Sequence, residues 1–310
     1  MNILVSGLIN IESTLKIDNF PIEYCPVEYP FFGIKSDVSG VAYNVAKAFL
    51  TLNNTVELVS FLGDDQEGKR IRNRLIEDKL GQQYIQQELA ETPVTIALYD
   101  NQGKRKIYCD LKDIQEKQLN CHNLEQAIKA SDLVVACNIN FNRSLLKKAK
   151  ELGKIIASDV HVLNDLEDEY NKDFMEYADV LFLSDEKLPC KPEAFLYSLK
   201  EKYGAKIIVI GMGNKGALLY ERKTDNIYQL GIAHVGEVVN TLGAGDALFT
   251  GFLNYWGQGY DAIEALKRAE IFAALKITVN GASKGFSDEK IVEDYYQKTE
   301  ITVKEINSCN

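Results

Sequence analysis

The 310-residue chain predicts a three-layer α/β/α fold, a mainly parallel sheet covered by helices on both faces, with smaller β-rich excursions. Two observations predict it. Apolar strand-like runs alternate with amphipathic helical runs through most of the length, and that alternation requires crossover connections. Residues 11–39 and about 92–112 then break the alternation with β-rich sequence of their own.

Taken in order, residues 3–6 read as the first strand, 45–52 as a helix, 56–61 as a strand and 69–79 as a helix. In that second helix Arg70 and Arg74 stand at i, i+4 with Glu67 and Glu77 nearby, the pattern of a solvated face. Residues 95–99, the turn Asp100-Asn-Gln-Gly103 and residues 106–108 read as a hairpin. Helices follow at 124–130 and 144–152, strands at 133–136, 155–158 and 180–183, a helix at 191–202 and a strand at 207–210. Beyond Asp246, Leu248, Phe252 and Tyr255 recur on one helical face until Gly257 and Gly259 close the segment, and 271–279 is a further helical run. Ligands of such sheets bind beyond the carboxyl ends of the strands.

Hydrophobic residues make up 46% and charged residues 26%, which is globular composition. A net charge of −10 argues against a general affinity for nucleic acid. No apolar run approaches the ~20 residues that span a bilayer, and Met1-Asn2 leads into a strand without a basic leader, so a cytoplasmic protein with no membrane partner is expected. The cysteines at 25, 109, 121, 137, 190 and 309 show no C-x-x-C spacing, and His122, His161 and His234 are scattered; neither a zinc site nor a disulfide framework is indicated.

The segment Val239-Asn240-Thr241-Leu242-Gly243-Ala244-Gly245-Asp246 puts small residues and one carboxylate at the start of a helix. Bare N–H groups of Gly243, Ala244 and Gly245 suit an anion, and Asp246 beside them can accept a hydroxyl proton. A plain helix start, with Asp246 favoured by the macrodipole, explains the same residues. Gly211-Met-Gly213-Asn-Lys-Gly216 matches G-x-G-x-x-G after a strand, but residues 217–220 look like another strand and not the helix that a dinucleotide fingerprint must open.

The 240–246 segment resembles the second signature of the PfkB carbohydrate kinase family, Asp-Thr-x-Gly-Ala-Gly-Asp, departing only at Asn240. The family's earlier landmark is echoed by Ser39-Gly40-Val41-Ala42-Tyr43-Asn44 and by Gly63-Asp64-Asp65 with Gly68. The resemblance covers essentially the whole chain and implies a ribokinase-like fold. Its α/β core would be 1–10, 40–91 and 113–310, and 11–39 with 92–112 would form a small β lid through which two copies can pair. It implies an ATP- and Mg2+-dependent kinase acting on a hydroxyl of a sugar or sugar-like molecule, with a nucleoside kinase, including the pseudouridine type, as the alternative. A catalytically inactive ligand sensor on the same fold is the reading from a different class.

By the same resemblance Asp246 is the base, with Gly243, Ala244 and Gly245 holding the phosphate. Asn10, Glu12, Gly40 and Asn44 line the substrate wall, where a carboxylate suits a vicinal diol. Gly211, Gly213 and Gly216 border the nucleotide phosphates, and Asn280, Gly281 and Ala282 the adenine, although Gly281 as a helix stop accounts for the latter loop equally. Asp159 lies near the phosphates or caps its turn. Four departures stand out: Ser39 replaces a glycine, Val41 stands where ribokinase-like members often carry lysine, Asn240 replaces an aspartate that shapes a monovalent-cation loop, and Ser184-Asp185-Glu186-Lys187 lacks the Asn-x-x-Glu magnesium motif. Asp185 and Glu186 read either as exposed loop acids or as organisers of metal-bound water, with Mg2+ held chiefly by nucleotide phosphates. Only Lys16 and Lys35 in the substrate element and Lys104–Arg105–Lys106 in the lid offer cations for a sugar phosphate.

Overall fold

In the computed structural model, which describes residues 1–100 and 104–306, β1 (Asn2–Ser6) is the strand on which the main sheet turns. Its alternating side chains feed both faces, Ile3 and Val5 into one core and Leu4 into the other. On one side β1 pairs in parallel with β4 (Thr55–Gly63), and β4 with β5 (Tyr84–Leu89). On the other side β8 (Leu133–Ala136), β9 (Ile155–Val162), β10 (Val180–Ser184) and β11 (Ile207–Gly211) continue the parallel run. An antiparallel edge, β12 (Ala217–Glu221), β13 (Asn226–Leu230) and β14 (Val303–Ile306), completes ten strands. The chain leaves β1 toward β4 first and returns later to β8, so the crevice above β1 is the topological switch point.

The two faces are covered by different helices. Buried residues of α1 (Val41–Thr51), α2 (Gln66–Glu77), α7 (Ala244–Gly257), α8 (Ala262–Lys276) and α9 (Glu289–Tyr296) join the core of Ile3 and Val5. Those of α3 (Cys121–Ala130), α4 (Arg143–Glu151), α5 (Lys172–Tyr177) and α6 (Pro192–Lys202) join that of Leu4. A four-stranded second sheet runs β3-β2-β6-β7, from β2 (Asn10–Lys16), β3 (Ile34–Ser39), β6 (Val94–Tyr99) and β7 (Arg105–Asp110); β2 and β6 are parallel, the other pairs antiparallel.

Several expectations need correction. Residues 17–33 form neither strand nor helix, because their aromatic and apolar side chains, Tyr24, Phe31 and Phe32 among them, stay exposed. The strand expected to end at Ser158 continues to Val162, so Asp159 lies within β9. The helix expected to reach Val279 ends at Lys276, and the 277–283 loop turns back over the 239–243 loop. The hairpin turn residues 101–103, and Cys309, lie outside the described residues. Among the described residues no helix is long and apolar enough to cross a membrane.

Candidate active site

Asp246 occupies the first turn of α7 and is buried. The turn that delivers it is built by a neutral side chain. Asn240 Oδ1 accepts the Leu242 N–H at 2.8 Å, and its Nδ2 donates to Asn280 Oδ1 at 2.8 Å. Gly243 follows at φ 75°, and a Cβ there would lie 2.4 Å from the Ala282 carbonyl, so both conformation and packing demand glycine. At Gly245, by contrast, a Cβ would meet nothing within 4 Å, which leaves open space in front of the helix terminus.

The expected anion hole is altered in one member. Ala244 N–H donates to the Thr241 carbonyl at 3.2 Å, so it closes the turn. Among the described residues the N–H groups of Gly243, Gly245 and Asp246 find no protein acceptor, and these three are the donors available to an anion.

Asn44, on the first helical turns of α1, meets Asp246 from across the crevice: its Nδ2 donates to Asp246 Oδ2 at 2.8 Å. Asn10, the first residue of β2, donates from Nδ2 to Thr95 Oγ1 of β6 at 2.5 Å. Both amides thereby leave a buried carbonyl oxygen, Asn44 Oδ1 and Asn10 Oδ1, without a hydrogen-bond donor. Buried acceptors of that kind call for a donor such as water or a ligand; polar atoms of Ser60, Thr250, Tyr255 and Glu293 are unpaired as well, so what distinguishes these two is their place beside Asp246 and β2. Gly40 precedes α1, where the Ala42 N–H reaches the Leu8 carbonyl at 3.2 Å and holds the β1 exit against the helix.

Charge in the crevice is concentrated. Burial holds the Asp246 carboxyl above its ordinary range, Asp159 adds to the rise, and the Asn44 hydrogen bond, His161 and Lys276 oppose it. Glu12, half-buried on β2, is pushed up to about 7 by burial and then by the Asp246 charge, with Lys276 and the Ser39 hydroxyl pulling the other way. Cys137, the residue after β8, is a buried thiol raised by burial and by the nearby Asp246 and Asp159 charges, which makes it inert packing.

Other expected positions lie in or just after β9, β10 and β11. Gly211 ends β11, and the loop to Gly216 joins it to β12 as an antiparallel hairpin. Gly216 is required by packing, since a Cβ would sit 1.9 Å from the Leu230 carbonyl; around Gly213 there is open space. Asp159 accepts the His161 N–H at 2.8 Å within β9, where no turn follows for it to cap. Glu186 pairs with Arg105 of the second sheet at 3.5 Å, whereas Asp185 follows β10 with its N–H on the Gly211 carbonyl at 2.9 Å and its own carbonyl accepting the Leu188 N–H at 3.3 Å, its carboxylate in no ion pair among the described residues. Among the described residues no three His, Cys, Asp or Glu side chains converge as metal ligands.

Asn280, Gly281 and Ala282 lie against the 240–243 loop, and Ser283 Oγ donates to the Val38 carbonyl of β3 at 2.9 Å. Ala97 of β6, Leu242 and Ala282 form a small buried cluster that seats the second sheet on this loop. The sequence reading missed Lys276, fully buried with its ammonium donating to the Leu242 carbonyl, and Thr95, the partner of Asn10. A lysine inside the apolar run Ala273–Ala274–Leu275–Lys276–Ile277 was the available signal for the first.

The model of the pfkB family of carbohydrate kinases matches residues 2–289. The chain is 25% identical over 243 residues to the fructosamine kinase FrlD of Bacillus subtilis, covering 78% of this chain and 84% of that one. It is 24% identical over 298 residues to an ATP-dependent ribose-1-phosphate kinase of Halopiger xanaduensis, covering 91% and 94%. The solved microbiome-derived acarbose kinase Mak1 superposes with a TM-score of 0.85 at 21% identity, over 96% of this chain and 98% of that one, a likeness of fold. With a matching family model spanning nearly its whole length, a ribokinase-like architecture and the family's second signature at the head of α7, this chain belongs to the pfkB family of carbohydrate kinases, phosphotransferases with a hydroxyl group as acceptor.

Proposed function

We propose that this chain transfers the γ-phosphate of Mg·ATP to a primary hydroxyl of a neutral sugar or sugar-like molecule, with Asp246 as the base. The observation that carries the reading is the pair of unsatisfied buried carbonyl oxygens, Asn10 Oδ1 and Asn44 Oδ1, on either side of an Asp246 carboxylate that Asn44 itself orients. Hydroxyl groups are the donors that would satisfy them, and Glu12 adds a carboxylate for a vicinal pair. Asp246 would take the proton of the attacking hydroxyl while the free amides of Gly243, Gly245 and Asp246 hold the phosphoryl oxygens, a division of labour that needs no phosphoenzyme.

Magnesium would travel with the nucleotide. Glu186 is engaged by Arg105, so Asp185 is the carboxylate left to hold metal-bound water, and the nucleotide phosphates supply the remaining ligands. The nucleotide phosphates would approach the open space at Gly213 and Gly245. The lid cations stand on other groups, Lys104 over the Phe20 ring, Lys106 over Tyr108 and Arg105 on Glu186, through exposed contacts that a sugar phosphate can displace, so that class stays in the test panel. The second sheet, seated through Ala97, acts as the lid that keeps water from the phosphoryl group. Its exposed Ile34, Ile96, Ile107 and Tyr108 support pairing of two lids.

The test is Mg·ATP-dependent phosphorylation across free sugars, amino-sugar adducts, nucleosides and sugar phosphates, run beside Asp246→Asn. Transfer to a neutral sugar class that falls ~10²-fold or more in the variant, the scale of a lost general base, is the expected result. Wild-type turnover in Asp246→Asn removes the base, transfer only to nucleosides moves the acceptor to that class, and binding without transfer moves the reading to a sensor.

A further inference from the structure

Lys276 is buried to 0% relative exposure on the last turn of α8, and its ammonium donates to the carbonyl of Leu242, the residue immediately before Gly243. Among the described residues it forms no ion pair within 4.0 Å. An ammonium held in an interior without a contacting carboxylate is costly, so its placement calls for a compensating partner. Two carboxylates act on it from beyond contact distance, Asp246 of α7 and Glu12 of β2; each is itself influenced by other charges, Asp246 by Asp159 and His161, Glu12 by Asp37. The ammonium therefore sits behind the phosphate-binding turn, facing the same crevice as the catalytic carboxylate.

A second feature goes with it. The turn is shaped at residue 240 by an uncharged amide, whose two hydrogen bonds to Leu242 N–H and Asn280 Oδ1 require no counter-ion. A carboxylate at that place would add negative charge beside incoming phosphates and would need a bound cation to offset it. Here the loop carries an uncharged amide at residue 240 and an ammonium on its Leu242 carbonyl.

We propose that Lys276 is a built-in monovalent cation of the phosphate-binding turn, which clamps the Leu242 carbonyl, keeps the amides of Gly243, Gly245 and Asp246 aimed at the γ-phosphate, and makes the protein indifferent to potassium and sodium. It is a positioning residue, since it acts through the turn. The inference rests on the kinase reading for what the amides hold, but it can be measured without any acceptor.

The experiment is calorimetric titration of Mg·AMP-PNP and Mg·ADP into the wild type, Lys276→Met and Lys276→Ala, in a tetramethylammonium buffer with and without added KCl. The wild type is expected to bind AMP-PNP within about 2-fold in the two buffers. Lys276→Met should lose roughly 10-fold or more in AMP-PNP affinity, the size of a charge-assisted hydrogen bond, and much less for ADP, which lacks the γ-phosphate. Lys276→Ala should regain part of that affinity with KCl or methylammonium, which can enter the vacated space. The wild-type preference for AMP-PNP over ADP should also fade as the pH passes the Lys276 value, which burial pushes down to about 8, and stay flat in Lys276→Met. A wild type that requires potassium for binding overturns the proposal without any variant, so a variant that fails to fold does not rescue it. Equal losses for ADP and AMP-PNP in Lys276→Met overturn it as well, because that is what a purely structural lysine would give. A protein that binds AMP-PNP with the expected pattern yet phosphorylates no acceptor would remove the kinase reading and leave the clamp standing.

Discussion

Glu12 concentrates the residue-scale chemistry of the crevice. Burial and the Asp246 charge push its carboxyl from 4.5 up to about 7, so the folded protein binds that proton more tightly than the unfolded chain does. The stabilisation linked to it is complete below pH 4.5 and is lost as the pH rises through about 7. Glu12→Gln removes the titration. Denaturant unfolding should therefore show the wild type losing of order 1–3 kcal/mol relative to Glu12→Gln between those limits, from ~1.4 kcal/mol for each tenfold difference in proton affinity between the folded and unfolded chain. Function should run the opposite way: only the ionised carboxylate accepts from two hydroxyls, so the acceptor KM should fall as the pH passes about 7. In Glu12→Gln the KM should be flat with pH and ~10-fold or more above the value the wild type reaches well above pH 7, on the scale of a hydrogen bond to a charged group, with the gap closing below it. A wild-type KM that is flat across that range would separate Glu12 from the acceptor.

At the scale of an element, the head of α7 shows two glycines with opposite reasons. Gly243 is held at φ 75° with the Ala282 carbonyl 2.4 Å from where a Cβ would be. Gly243→Ala should cost ~2 kcal/mol or more in denaturant unfolding, from the left-handed backbone and the displaced 280–283 loop together. Gly245 is helical and faces open space, so Gly245→Ala should be neutral or stabilising by ~0.5–1 kcal/mol while weakening Mg·AMP-PNP. Stability and nucleotide affinity moving in opposite directions at Gly245, and together at Gly243, is the expected signature. Loss of stability at both would make the whole turn structural.

Across the whole molecule, the second sheet meets the core near the 240–246 turn through the Ala97, Leu242 and Ala282 cluster, the Ser283 bond to Val38, the Asn280 bond to Tyr99 and the Lys284–Asp37 and Arg105–Glu186 pairs. The latter pair is solvent-exposed at 38% and 61%, where ion pairs contribute ~0–1 kcal/mol. Arg105→Ala should shift the melting temperature by less than about 3 °C in a domain of this size. Its effect should appear as faster acceptor-independent ATP hydrolysis, read by phosphate release, if the sheet closes as a lid. A large melting shift with unchanged hydrolysis would make the pair a structural strut. The α/β alternation was legible in the amino-acid order alone, since buried parallel strands must be continuous apolar runs and their crossover helices must be amphipathic. So was the glycine-rich helix start at 243–246, because close approach to a backbone leaves few residue choices. Short or half-polar strands such as β5, β13 and β14 carried too little periodicity to read, and the exposed 17–33 segment imitated strand composition without a partner. Which polar groups meet was settled by tertiary packing: Asn44 with Asp246, 202 residues apart, Asn10 with Thr95, and Lys276 with the Leu242 carbonyl. Local pattern reports the period of an element, whereas a site is made where distant elements place charge in a shared low-dielectric space, and no spacing along the chain encodes that distance.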